Sequence, residues 1–257
     1  MKKIEHNILI FILIEAVFTL FFYKLNIIEI IIGCTLGIIL ILLSNLIPKN
    51  TLFKIRLFIS SIIIGIYTLI KISNFIKYNI LPSHSLIIIL ICFLLLSVYL
   101  VTKGYHTFIK TVEITSYIFI VIKIISFILI IPKINISNIY NITIDISNYR
   151  FIYFGVAICL IYNSIYYITN NKPSIKIIGV SLINILLIKI IDILVLGNKI
   201  ANIYNYPYIS SLKKIKYLDF IERCDGILSF EFLISFYILL TFIFLNTKLL
   251  YNKKSQK

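Results

Sequence analysis

Residues 174–196 read SIKIIGVSLINILLIKIIDILVL, and this stretch decides the fold. It is continuous, dominated by isoleucine and leucine, and longer than the roughly 20 residues that an α-helix needs to cross the hydrocarbon core of a bilayer. Proline at 173 precedes it and glycine at 197 follows it, the punctuation that bounds a helix. Two ionisable residues, Lys189 and Asp192, stand inside it three positions apart. That spacing puts them on one helix face and predicts an intramembrane ion pair.

Seven more segments resemble it. The eight run over about 7–23, 27–47, 56–76, 85–102, 112–131, 151–169, 174–196 and 227–247. Pro48, Pro82, Pro132 and Pro173 fall in the gaps. The first follows Met1-Lys2-Lys3 as a signal peptide would. No small-residue cleavage site comes after it, so it is read as a retained helix. The whole is expected to be an all-α integral membrane protein forming a single polytopic domain over residues 1–257.

Composition agrees. Hydrophobic residues make up 60% of the chain and charged residues 14%, with a mean hydropathy of +1.04. An average soluble domain carries about 25% charged residues. A water-soluble fold of this length has too little interior for so much apolar surface. The formal net charge of +15 could suggest nucleic acid. Yet the lysines flank the apolar runs, as the positive-inside bias requires, and no nucleic-acid partner is expected.

That bias also orients the chain. With the N-terminus inside, thirteen basic residues fall at inner ends: Lys2, Lys3, Lys49, Lys54, Arg56, Lys103, Lys110, Lys172, Lys176, Lys248, Lys253, Lys254 and Lys257. Four fall outside: Lys24, Lys77, Lys133 and Arg150. Both termini are therefore expected in the cytoplasm. The stretch 197–226 adds five more outside, partly balanced by Asp219, Glu222 and Asp225. It is too polar to span. Ile209, Leu212, Ile215, Leu218 and Ile221 recur every third residue, which predicts a helical cap over about 200–226 lying on the outer face.

Charges within the apolar segments are costly and raise functional expectations. Those singled out are Glu15, Lys71, Lys123, Lys189 and Asp192. Lys71 is close enough to its segment end to snorkel outward. A carboxylate at Glu15 can bind an ammonium group, couple to a proton, or pair with Lys123 or Lys189. No metal-ligand spacing, nucleophile pairing or glycine-rich phosphate loop points to an enzyme, a metal or another cofactor. Cys34, Cys92, Cys159 and Cys224 form no Cys-x-x-Cys pair and are expected to be free thiols.

From Tyr206-Pro207 to Gly226 the sequence resembles the B subunit of spore germinant receptors, a branch of the amino acid–polyamine–organocation transporter superfamily. The matching residues are Tyr206, Pro207, Asp219, Phe220, Glu222, Arg223 and Asp225. Leu81-Pro82, Tyr99, Gly104-Tyr105, Lys110 and Glu113-Ile114 follow a second family-like order.

The resemblance implies a leucine-transporter-like fold in which inverted repeats enclose a midplane site, formed where the first and sixth helices unwind. It implies a non-enzymatic sensor of a small nutrient such as an amino acid, in the spore inner membrane with receptor A and C subunits as partners. Candidate ligand-binding residues are Glu15, Ala16 and Thr19 on the first helix, and Gly155, Asn163 and Ser164 on the sixth. The sequence departs from the family in three ways, one of them the lack of a glycine pair in the sixth segment. It has eight segments where the family has ten, so the last two helices of the second repeat are expected to be lacking. The first segment also has no central glycine to favour unwinding. A proton-coupled amino acid or amine transporter and a ligand-free scaffold are the alternative functions.

Overall fold

The structure is a computed structural model that describes residues 3–46, 51–81, 83–141, 149–169, 172–204, 206–214 and 229–252. Eight helices are long and apolar enough to cross a bilayer. They begin with α1 (Lys3–Val17), prolonged by a π-helical segment (Phe18–Phe22), then α2 (Ile27–Ser44), α3 (Thr51–Asn79), α4 (Leu86–Lys103) and α5 (Tyr105–Ile130). After two 3-10 turns, Ile131–Lys133 and Ile136–Asn141, come α6 (Arg150–Thr169) and α7 (Lys176–Leu196). Two short helices follow, α8 (Asn198–Ile203) and α9 (Pro207–Leu212), and then α10 (Phe230–Asn252). No strand occurs among the described residues. This is the architecture of a multi-pass membrane protein.

The surface makes the same point. Ile39, Ile63, Leu95, Ile114, Ile128 and Ile183 are each more than half exposed. They lie within five different spanning helices and give a wide apolar surface that water would not tolerate and lipid would solvate. Polar groups are turned inward instead: Glu15, Glu29, Lys123, Lys189, Asp192 and Glu231 are all buried.

Helix limits follow local chemistry. Asn26 and Glu29 form a capping box at the start of α2, with the Asn26 amide donating to Glu29 Oε2 at 2.9 Å. Gly104 has φ 92° and Gly197 φ 83°, the left-handed region that glycine enters freely. Each lets one helix end and the next begin at once.

The expected gap between the fourth and fifth segments therefore closes to Gly104 alone. The polar residues after it stay helical. Thr107, Thr111 and Thr115 donate their hydroxyls to the carbonyls of Lys103, Thr107 and Thr111 at 3.2, 2.9 and 2.7 Å. α3 also exceeds its expected limits, and its 29 residues rise about 43 Å. It therefore reaches past the hydrocarbon at one or both ends, or tilts.

α1 and α10 are the most enclosed spans. α1 packs on α5, α7 and α10, while α3 packs on α4 and α10. The closest pair is α2 with α6. Gly33 and Gly37, spaced as Gly-x-x-x-Gly, face Gly155. A Cβ on Gly155 would stand 2.8 Å from the Gly33 carbonyl oxygen and 2.7 Å from Leu36 Cδ2. Small residues let two helix backbones approach in lipid, where packing rather than water exclusion holds helices together.

Neither of the helices expected to unwind does so. α6 is continuous. α1 shifts to π-helical bonding at Phe18, where the Thr19 hydroxyl donates to the Glu15 and Ala16 carbonyls, both at 3.0 Å. A π segment widens the helix without a glycine and often marks a functional position.

Candidate functional site: a buried ionic cluster beside a basic-rimmed cavity

Three helices bring ionisable groups together beneath α9. Lys123 of α5 donates to Glu15 Oε1 of α1, and Glu231 Oε1 of α10 lies 3.4 Å from the same Nζ. Asn184 of α7 donates to the other Glu15 oxygen at 2.7 Å. The Lys123 ammonium also sits 4.9 Å from the Phe119 ring centre and 5.7 Å from that of Phe11. Aromatic faces stabilise a cation further when water is absent. One cation thus serves two carboxylates in a site closed to water.

The predicted contact between Lys189 and Asp192 is not formed. They share a helix face, but each takes another partner. Lys189 Nζ donates to the Tyr23 carbonyl at 3.1 Å, just past the π segment. Asp192 accepts from the Ser211 hydroxyl of α9 at 2.9 Å. Their charges still act on each other across a longer distance, and the two hydrogen bonds tie α7 to the first helix and to the cap. Ser211→Ala removes a hydrogen bond to a buried carboxylate and is expected to cost roughly 1.5–3 kcal/mol. The measurement is the thermal midpoint of the purified protein, which should fall.

The cap is short where it is described. Pro207 opens α9, and Ile209 and Leu212 are buried on one face as their spacing predicts. Tyr206 lies edge-on to Phe75 at 4.8 Å and 5.8 Å from Tyr23. Burial pushes its hydroxyl up to about 12, so it stays neutral at physiological pH. Tyr208 is 3% exposed, and burial, then Glu231, Asp192 and Glu15, hold its hydroxyl protonated. The remaining motif residues, Asp219, Phe220, Glu222, Arg223 and Asp225, lie outside the described residues.

A void of about 20 Å³ remains beneath the cap, next to Thr19, Asp192, Tyr206 and Tyr208. It has room for about one water and none for an organic ligand.

The ligand-sized space is elsewhere. A cavity of about 690 Å³ opens among α1 with its π segment, α3, α6 and α10, within the range typical of small-molecule sites. Its walls are apolar, with Phe22, Ile64, Ile161, Leu239, Phe242 and Ile243 among them. One end is neutral and polar: Asn246 donates to Ser61 Oγ at 2.8 Å and to Ser164 Oγ at 3.1 Å. The other end carries Lys24, Lys71 and Arg150. Lys71 lines the cavity. Its Nζ rests 5.4 Å from the Tyr67 ring centre at the cavity.

Of the six candidate ligand residues, Ser164 alone lines this cavity. Glu15 belongs to the ionic cluster. Ala16 is fully buried, and Thr19 faces the small void. Gly155 is spent on packing against α2. Asn163 turns to α2 as well, donating to Ser44 Oγ at 3.1 Å.

Three features escaped the sequence reading although each left a signal. Glu231 is an acid inside the last apolar segment. Ser60-Ser61 interrupts the third. Gly33 and Gly37 carry the small-residue spacing of a close helix contact. Compared with models of known families, with curated proteins and with solved structures, the chain matches none. Fold and site together describe a polytopic helical membrane protein with a ligand-sized cavity and a separate buried ionic cluster.

Proposed function

We propose that this protein is a non-enzymatic membrane subunit that senses a small organic nutrient, of the kind that the B subunit of spore germinant receptors represents. The observation that carries the reading is the cavity among α1, α3, α6 and α10, with Tyr23 at its basic end and the cap residue Tyr206 against that tyrosine. A ligand there touches four spanning helices at once. It can shift their relative positions only by binding one arrangement better than another, which is the physical requirement for a signal. The leucine-transporter-like fold, the spore inner membrane, the cytoplasmic termini and the A and C subunit partners belong to the same proposal. The test is germination of spores lacking the gene across a panel of single nutrients. Loss of at least one response supports the reading. Unchanged responses to every nutrient, in a strain with no other receptor, overturn it.

A second reading, a proton-coupled transporter, is favoured by the Glu15–Lys123–Glu231 cluster. One ammonium and two carboxylates are balanced by one bound proton, and a neutral cluster is far easier to keep in a dry interior. Concentrative uptake into proteoliposomes under a proton gradient, abolished by Glu231→Gln, would establish it. Absence of such uptake with every nutrient that triggers germination would reject it.

A further inference from the structure

We infer that the cavity is built for an organic anion with an apolar body, rather than for a zwitterionic amino acid or an amine. The inference rests on reading this cavity as the ligand site. Its described lining contains three cations, Lys24, Lys71 and Arg150, and no aspartate or glutamate. None of the three is within ion-pair distance of a carboxylate among the described residues. They gather at one end, where Arg150 lies close enough to Tyr23 for its charge to oppose the effect of burial on that hydroxyl.

The buried acids of the spanning helices are committed elsewhere, and the other two, Glu5 and Glu113, are not in the cavity lining. Glu15 and Glu231 hold Lys123. Asp192 holds Ser211, and Glu29 caps α2. An α-amino acid carries its ammonium beside its carboxylate. Docking the carboxylate on the rim would bring that ammonium to three cations with no carboxylate partner among the described residues, and the described wall offers no countercharge. An anion with no ammonium meets only attraction there, strengthened because apolar walls weaken dielectric screening.

Shape sets the size of the body. Ser61 and Lys71 stand ten residues apart on α3, about 15 Å of helix rise. Lys71 rests by Tyr67, which shortens the distance from ammonium to polar floor to about 10 Å. Apolar side chains fill the interval.

The way in is lateral. α3 packs on α10 and α6 on α2 and α1, with little direct packing between α3 and α6. Tyr67 and Tyr153, on these two helices, line the cavity and are 50% and 68% exposed. An anionic head on an apolar chain can therefore come from water or from the surrounding bilayer.

The full-length protein in phosphatidylcholine nanodiscs tests this. The chain contains no tryptophan, so Tyr153→Trp supplies a single fluorescent reporter at the rim. Octanoate, octylammonium and L-leucine are titrated separately. Octanoate is expected to give a saturable change and to bind roughly tenfold or more tighter than the other two. Lys71→Gln with Arg150→Gln is expected to weaken octanoate by a similar factor, and Ala157→Phe, which puts a ring into the cavity, to abolish its binding.

Octylammonium or leucine binding as tightly as octanoate, and lost with Ala157→Phe, would overturn the anion inference and leave the cavity as the ligand site. Saturable binding of any probe that Ala157→Phe does not disturb, or binding of none, would overturn both. Replacing a third of the lipid with phosphatidylglycerol separates the sources of the anion. Weaker octanoate binding identifies a competing bilayer lipid and unchanged binding an anion from water, and either keeps the inference.

Discussion

Lys123→Met is expected to destabilise the protein by about 3–5 kcal/mol, enough to leave little folded material after extraction. Methionine fills nearly the same volume, so packing against Phe11 and Phe119 changes little. What disappears is the only ammonium that Glu15 and Glu231 share. Two carboxylates then face each other in a buried site, with Asn184 the one hydrogen-bond donor left to either among the described residues. The origin of the loss is separable by compensation. Adding Glu15→Gln and Glu231→Gln to Lys123→Met removes all three charges together and is expected to recover most of the stability, because a neutral cluster carries no unmatched charge. The measurement is the midpoint of thermal unfolding by size exclusion in detergent, across the single and triple variants. A triple variant no better than Lys123→Met would show that the cluster acts through shape rather than charge.

Gly155→Leu is expected to have an effect of similar size through a different mechanism. The nearest obstacle to a side chain there includes the Gly33 carbonyl oxygen, which is backbone and cannot rotate away. α2 and α6 must separate, and overpacking of this kind costs typically 1–3 kcal/mol, and more where the backbone has to move. Gly179, whose Cβ position meets nothing within 4 Å, is the matched control. Gly179→Leu should be tolerated in the same assay. Equal damage at both positions would mean that leucine itself, and not the close approach of two helices, is responsible.

These two variants also mark how far the sequence could be read. Helix number and approximate extent were legible because apolar length is a local property: a run such as 174–196 states its length without reference to its neighbours. Limits were less legible. Nothing local announced that Thr107, Thr111 and Thr115 would satisfy the helix backbone and carry α5 back to Tyr105. That Glu15 would find a basic partner among the membrane lysines was foreseeable. Lys123 was one of the two lysines named for it; that Lys123 and not Lys189 takes the place, with Glu231 as a third member, was not legible, because Lys123 and Glu15 are 108 positions apart and pairing depends on how helices rotate.

The same reason explains the Lys189–Asp192 expectation. Helical spacing makes a contact possible, but Ser211 and the Tyr23 carbonyl, each distant in sequence, compete successfully for the two groups. The cavity was the least legible feature. Its floor joins Ser61, Ser164 and Asn246 from three helices, and its basic rim gathers residues that each look like ordinary flanking charges.

We propose an eight-crossing bundle in lipid, with the basic end of the cavity and the α9 cap on the outer side. Impermeant thiol labelling tests it most directly, in a background where the native cysteines are serine. Lys213→Cys follows α9 and Lys103→Cys ends α4, and both positions are exposed. In intact cells Lys213→Cys should react at once and Lys103→Cys only after the membrane is permeabilised. Labelling of both in intact cells would contradict burial of the bundle in the membrane, and the reverse pattern would put the cavity mouth on the inside.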